Sequence, residues 1–410
     1  MAEKRRRNGT SGRTGARVPR GVSHPMLLAR AGLVAGLWAA AAAAQGPLPL
    51  ALHGDIQADG RFVWGETDAS TFVVRRARLR AEGVIDGRFR FRAMPDVGNG
   101  RVELLDAYVE AAVVPGVAVR AGKFKAPVGL ERLRTPTDLD LPERAFPTLL
   151  VPNRDVGVML RLTPGRQTVE LAVTNGVVDG ASGDLDPDAA KDLNARLFLR
   201  PVRSGVLRGL AVGVAGTVGA ARGTAGAPLL PTVQTSGREI VFRYRAGTDP
   251  AVADGAHQRV VPQLFWTAGP VGVLAEAAAS CQRVRLGDAA ARLTNRAWQV
   301  AATVVLTGED ASFGAVVPRR PLTPDGGGPG AVALAARLHR LAVDANAFPT
   351  FADPTASVRV ATAGALGLNW SLTSAVRVQL SAERTVFEAA EGGADRAAET
   401  LVVGRVQLVY

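Results

Sequence analysis

The stretch TFVVRRARLRAEGVIDGRFRFRA (residues 71–93) decides the fold. From Phe72 onward, Phe72 and Val74 begin one parity that continues as Arg76, Arg78, Arg80 and Glu82. The other parity reads Val73, Arg75, Ala77, Leu79 and Ala81. After Asp86-Gly87, Arg88, Arg90 and Arg92 alternate with Phe89, Phe91 and Ala93. Alternation of period two marks β-strands, and a DG pair between two such runs marks a hairpin. The segment therefore predicts paired strands with one apolar and one arginine-rich face.

The pattern extends outward from this hairpin. Asp106, Tyr108 and Glu110 alternate with Leu105, Ala107, Val109 and Ala111. Val156, Val158, Leu160 and Leu162 alternate with Asp155, Gly157, Met159 and Arg161. Similar runs occupy 168–174, 192–200 and 376–381. A soluble sandwich and a membrane barrel both alternate in this way. The run lengths favour the barrel, since a tilted membrane strand needs about 9–11 residues. Tight turns (Asp86-Gly87, Pro115-Gly116, Pro164-Gly165, Gly269-Pro270) also alternate with long connections (125–153, 177–191, 219–236), the asymmetry of outer-membrane barrels. About 17 strands can be segmented. An even count gives sixteen if 237–246 is a hairpin inside a long loop, and eighteen if 311–318 also pairs. Sixteen is the expectation. Aromatics are only 5%, so Trp64, Phe89, Phe91, Phe124, Phe265, Trp266, Trp370 and Tyr410 are expected to form a thin girdle.

Residues 1–44 read as a secretory signal peptide, leaving 45–410 as one barrel domain. Lys4, Arg5, Arg6, Arg7, Arg13, Arg17 and Arg20 form a basic head, an apolar run spans Met26–Ala44, and Ala42 and Ala44 precede a cut at Gln45. Met1 and Met26 are both readable as the start. The whole chain has a formal net charge of +12. The leader holds eight of the 49 basic residues and one of the 37 acids, so the remainder carries 41 against 36, a net of +5. That balance argues against nucleic acid as a partner. A single cysteine, Cys281, excludes a disulfide framework and a cysteine-based zinc site, and four histidines argue against a histidine-rich metal centre. No nucleophile elbow, zinc spacing or phosphate-binding glycine loop is present, so neither an enzyme nor a cofactor is expected.

The blocks TFVVRRARLRAEG (71–83), LLDAYVE (104–110), GKFKAPVGLERL (122–133), LPERAF (141–146) and PNRDVGVML (152–160) together resemble the phosphate-selective porin O/P family. Further similar segments are AVTNG (172–176), AARLHRLAV (335–343) and LGLNWSLTSAVRVQLSAERTVF (366–387), with the terminal Tyr410. The resemblance implies a sixteen-stranded, trimeric outer-membrane porin in which an inward-folded outer loop carries lysines and wall arginines lead anions to them. It matches the family's arginine pair to Arg75 and Arg76 and its loop to 125–153. Apart from Lys125, the loop holds Arg132, Arg134, Arg144 and Arg154 where the family has lysines.

The residues themselves support anion passage. Rings or ladders of Arg and Lys favour anions in a narrow, low-dielectric passage, and guanidinium pairs with phosphate through two donors. Arg76, Arg78, Arg80, Arg88, Arg90 and Arg92 share one face and are expected to line the lumen. Arg75, of the wrong parity, is expected at a bulge or at the membrane interface. Lys123 and Lys125 stand at the mouth of the long connection, and Arg132, Arg134, Arg144 and Arg154 follow. The connection's apolar residues, Leu130, Leu139, Leu141, Phe146, Leu149 and Leu150, need burial that folding into the lumen would provide. The expected partners are inorganic anions (phosphate, polyphosphate, chloride), outer-membrane lipid and further copies in a homotrimer. Two other readings remain open from sequence: an unselective barrel whose arginines pair with Glu82, Asp106 and Glu110, and a secreted β-protein binding an acidic ligand.

Overall fold

The computed structural model describes residues 50–410 except Thr67 and Gly326, so the expected leader lies outside the described residues. Sixteen strands form a closed antiparallel barrel, each paired with its sequence neighbours. They are β1 (Leu50–Trp64), β2 (Ala69–Ile85), β3 (Phe89–Asp96), β4 (Glu103–Val114), β5 (Val117–Lys125), β6 (Arg154–Leu162), β7 (Gln167–Thr174), β8 (Asp192–Leu199), β9 (Ala211–Arg222), and then β12 (Val252–Ala268), β13 (Val271–Leu286), β14 (Ala289–Val305), β15 (Ala331–Ala342), β16 (Val358–Ser371), β17 (Val376–Ala389) and β18 (Glu399–Val409). The short strands β10 (Thr232–Gln234) and β11 (Ile240–Arg243) form a separate hairpin inside the β9–β12 connection. Residues 311–318 contain no strand, which settles the count at sixteen. Pairing of β1 with β18 closes the cylinder, and the Tyr410 and Gly54 backbones bond reciprocally beside it.

The connections differ between the two ends. The turns 86–88, 115–116, 163–166, 269–270 and 372–375 lie at the end where β1 begins and β18 finishes. The connections 126–153, 175–191 and 223–251 lie at the other end. Short turns mark the periplasmic end and long loops the outer end. Three connections depart from the pattern: 287–288 is a tight turn at the outer end, 200–210 is a longer connection at the turn end, and 306–330 joins β14 to β15 at the turn end yet is as long as an outer loop.

The first hairpin explains its own parity. In β2, Arg76 lies opposite Gln57 and Val74 opposite Ala58, leaving Arg75 as an extra residue in a bulge. The bulge inverts the faces midway along the strand. Phe72 and Val74 can therefore point outward, 85% and 51% exposed, while Arg76, of the same sequence parity, points inward. A lipid-facing arginine at mid-membrane costs about 2–4 kcal/mol, so the bulge removes a conflict a regular strand would carry. Two expected girdle members are elsewhere. Phe124 and Phe265 face inward, Phe124 packed on Tyr108 and Met159, Phe265 on Leu130 and Leu274.

Candidate functional site

The site is built by the segment 126–153, which contains the short helix α1 (Leu130–Leu133). Its apolar residues decide where it goes. Leu130, Leu139, Leu141, Phe146 and Leu150 are at most 5% exposed, and Leu149 is half-buried. Phe146, Leu150, Val128 and Val151 pack on Leu293, Ala297 and Leu341 of β14 and β15. Each such side chain withdrawn from water contributes roughly 1.5–3 kcal/mol.

Side chains from the opposite wall then fix the segment's backbone. Glu276 of β13 accepts the amides of Leu130 and Glu131, at 2.6 and 3.3 Å. Arg337 of β15 donates to the Glu143 carbonyl at 2.8 Å, and His339 accepts the Phe146 amide at 3.2 Å. Asn369 of β16 and Gln379 of β17 donate to the carbonyls of Asp140 and Leu139. Arg405 of β18 donates to the Pro142 carbonyl at 2.9 Å and pairs with Asp59 at 2.7 Å. A segment that leaves β5 and is bonded by β13, β15, β16, β17 and β18 spans the barrel interior.

Two further connections share that interior. Phe242 in β11 and Tyr244 just after it join the same apolar cluster, and Arg61 of β1 donates to the Ser236 carbonyl at 2.6 Å. From the turn end, 306–330 places Phe313 edge-on to Phe265 at 4.9 Å and under Arg134 at 5.3 Å. The Ala315 amide donates to Asp138 at 3.3 Å. Connections from both ends thus meet in the lumen against β9 and β12–β17.

Open space remains along β1–β7 as two chambers. The outer chamber is lined by Arg75, Arg76, Arg132, Glu143, Arg144 and Arg238, among others. The inner chamber is lined by Arg80, Arg90, Arg92, Arg120 and Arg161, with Tyr108 and Phe124. Arg78, Lys125, Pro136 and Arg154 line both chambers and so form the neck between them. Eight cations face three carboxylates in the outer chamber and eight face four in the inner one.

The wall arginines are largely matched by acids. Arg78 pairs with Asp96 at 2.7 Å, Arg92 with Glu82 at 2.7 Å, Arg154 with Asp106 at 2.8 Å and Arg161 with Glu170 at 2.9 Å. Arg120 pairs with Glu110 at 2.5 Å and lies 4.1 Å above the Tyr108 ring. Arg76 donates to Gln57, and Arg75, from its bulge, pairs with Glu143 at 3.1 Å. Burial would raise the Glu143 carboxyl, but Arg75 and Arg61 hold it well below its ordinary range.

The neck and its outer approach differ. Among the described residues, no carboxylate lies within 4.0 Å of Lys125, Arg132 or Arg144. The Lys125 ammonium donates only to the carbonyls of Leu133 and Arg134, at 3.2 and 2.8 Å. Arg132 donates to the Thr148 carbonyl and Arg144 to that of Arg134. Arg132 Nε and Arg144 Nη1 are buried without an acceptor. Burial, then the Arg132 charge, pulls Arg144 down to about 9, and burial pulls Arg132 down to about 10. Such depression means that the protein meets these charges poorly, a deficit a bound anion would relieve.

Three expected positions are corrected. Arg88 belongs to the exposed turn 86–88, so the arginine ladder begins at Arg90. Lys123 is out of phase with the inward Arg120 and Phe124, and its ammonium pairs with Asp184 of the 175–191 connection. It lines neither chamber. Lys125, at the same parity, reaches the lumen because β5 ends there and the chain turns inward. Arg134 is 4% exposed, is bonded to Asp140 at 3.0 Å, and clasps the segment instead of lining the passage. Sequence reading missed Arg120 and Arg161 as pore-lining residues, although Arg161 stood on the parity of Asp155 and Met159.

Residues 49–410 match the model of the family "phosphate-selective porin O and P". The chain belongs to that family. No curated protein matches it. Among solved structures, the outer membrane channel DcaP of Acinetobacter baumannii superposes with a TM-score of 0.56 at 9% identity, over 88% of this chain and 97% of that one. An anion-selective porin from Comamonas acidovorans gives 0.54 at 11% identity, over 88% and 99%. The trimer form of OmpT from Vibrio cholerae gives 0.54 at 10%, over 88% and 99%. The protein is thus an outer-membrane porin: strands alone cross the bilayer, with one face on lipid and the other on the lumen.

Proposed function

We propose that this porin is an anion-selective diffusion channel with a preference for phosphate and polyphosphate, its filter being the neck at Arg78, Lys125 and Arg154 with Arg132 and Arg144 on the outer approach. The observation that carries the reading is the set of three cations without carboxylate partners, two of them with buried, unaccepted N–H groups. Such donors attract an anion, and the alternating acids along both chambers keep it from being held too tightly to leave. Guanidinium and ammonium groups together suit a phosphoryl oxygen set. Membership of a phosphate-selective family and the likeness to an anion-selective porin support the same direction. Reversal potential across a planar bilayer in a potassium chloride gradient tests it. An anion-selective potential, with phosphate blocking chloride current, is expected; a potential near zero sinks the reading.

A second reading is favoured by the paired wall: with Arg78, Arg92, Arg120 and Arg161 each neutralised, the barrel would pass solutes unselectively. The same measurement separates the two. We further propose that residues 1–44 direct export and that the porin assembles as a homotrimer. Support for the trimer comes from β3 and β5–β8, which are only eight or nine residues long, at or below the roughly 9–11 a lipid-exposed strand needs. That wall is better covered by another copy than by lipid.

A further inference from the structure

The outward face of β13–β17 carries a belt of arginines at its outer end. On the β13–β14 hairpin these are Arg283, Arg285, Arg292 and Arg296. Their inward neighbours Gln282, Leu293 and Asn295 are at most 4% exposed, which fixes the arginines on the other face. Arg340 on β15, Arg359 on β16 and Arg384 on β17 continue the belt. Below it every strand turns apolar on the same face, with Trp298 and Val300 on β14, Leu338 and Leu334 on β15, Leu366 and Leu368 on β16, and Leu380 on β17, all at least 38% exposed. On β14–β16 the arginines lie on the outer side of the apolar residues, where lipid headgroups begin, while Arg384 of β17 is in register with Gly364 and Leu338 and reaches lower into the apolar band.

The belt is undercompensated. Asp254, at 3.6 and 3.8 Å from Arg283 and Arg285, and Glu388, at 2.9 and 3.2 Å from Arg340 and Arg359, are its only carboxylate partners among the described residues. Arg292 donates to Cys281 Sγ and Gln258, and Arg384 to the Thr400 hydroxyl. Arg283 and Arg292 are direct cross-strand partners, a like-charge pairing that destabilises a sheet unless an anion sits between the two. The Arg283 side chain is 57% exposed and Arg340 38%, so both are open to a ligand from the membrane.

We infer that this belt binds the phosphate groups of a phosphorylated glycolipid in the outer leaflet. Guanidinium forks match phosphate through paired hydrogen bonds, while the arginine stems lie along Trp298 and the aliphatic band. The acyl chains of the same molecule would cover that band. The inference needs only the outer-membrane location and does not depend on the selectivity of the pore.

The test uses the full barrel in detergent micelles doped with bisphosphorylated lipid A or with the same lipid after enzymatic dephosphorylation, and native mass spectrometry counts lipids retained after washing. The wild type is expected to retain about tenfold more of the bisphosphorylated lipid, an effect within reach of a few surface arginines against an anionic headgroup. Arg283→Gln/Arg292→Gln/Arg296→Gln is expected to lose that preference with single-channel conductance unchanged. Arg200→Gln/Arg203→Gln, at the periplasmic end, is expected to keep it. Equal retention of both lipids by the wild type overturns the inference. So does undiminished preference in the triple variant, or a triple variant that dissociates into monomers with its lipid preference intact, which would make the belt a contact between copies. If the triple variant does not fold, salt decides on the wild type. Raising ionic strength from about 0.1 to 1 M shortens the screening length to roughly 3 Å and should release the phosphorylated lipid; retention unaffected by salt overturns the inference.

Discussion

At the scale of single residues, Lys123 and Lys125 give the sharpest contrast. They are two apart and identical in chemistry, yet one pairs with Asp184 of the 175–191 connection and the other lines the neck. Lys125→Glu is expected to move the reversal potential towards cation preference and cut anion conductance by about tenfold, equivalent to ~1.4 kcal/mol at the neck. Lys123→Glu is expected to leave selectivity unchanged. Equal effects of the two substitutions in the same bilayer experiment would contradict the neck assignment. Alternation alone placed Arg76, Arg78, Arg80, Arg90 and Arg92 on one face, because period two is a local property of a strand. It could not place Lys125 or Arg88, whose directions depend on where a strand stops. Nor could it choose between a bulge and the interface for Arg75, since a bulge is defined by the partner strand, here at Gln57 and Ala58.

At the scale of elements, the inward segment 126–153 is held by a few buried polar side chains, and its stability should be separable from that of the barrel. Arg337 reaches the Glu143 carbonyl, Glu131 at 3.4 Å and Glu383 at 2.8 Å while 5% exposed. Arg337→Met leaves Glu131 and Glu383 short of a buried partner, a change of the kind that costs about 3–5 kcal/mol. The expected result is a folded barrel whose segment is cut by trypsin at Arg132 or Arg144, with noisier and less selective current. Resistance to trypsin equal to the wild type would show that the apolar packing of Phe146 and Leu150 suffices. Gly122 tests the wall beneath. Its φ is +124°, and a Cβ there would lie 2.2 Å from the Ala107 carbonyl oxygen. Gly122→Ala is therefore expected to lower the thermal unfolding midpoint of the barrel, read by heat-modified gel mobility. The inward course of 126–153 was legible from its length and its leucines. The identity of the wall groups that bond it was not, because Glu276, Arg337 and Arg405 lie more than a hundred residues away in sequence.

At the scale of the whole molecule, the lumen is divided lengthwise. Connections entering from both ends fill the half bounded by β9 and β12–β17, and the two open chambers lie beside the arginines of β2–β6. The filling from the turn end was not legible, because 306–330 reads as an ordinary long loop until its end of the barrel is known. Its role can be isolated. Val305 lies opposite Ala333, so β14 and β15 are already adjacent and a tight turn like 372–375 can replace residues 308–328. That deletion removes Phe313 from Phe265 and from Arg134, and removes the amide of Ala315 from Asp138. Lys125 at the end of β5, and Arg132 and Arg144 on the segment 126–153, stay in place. The shortened porin is expected to conduct severalfold more current, because ions gain a route past β12–β14. Its anion selectivity should fall as well, since that route bypasses the neck. Conductance and selectivity both equal to the wild type would mean that the segment 126–153 seals this half of the barrel by itself. Higher conductance with undiminished selectivity would place the filter along the wall arginines instead of at the neck.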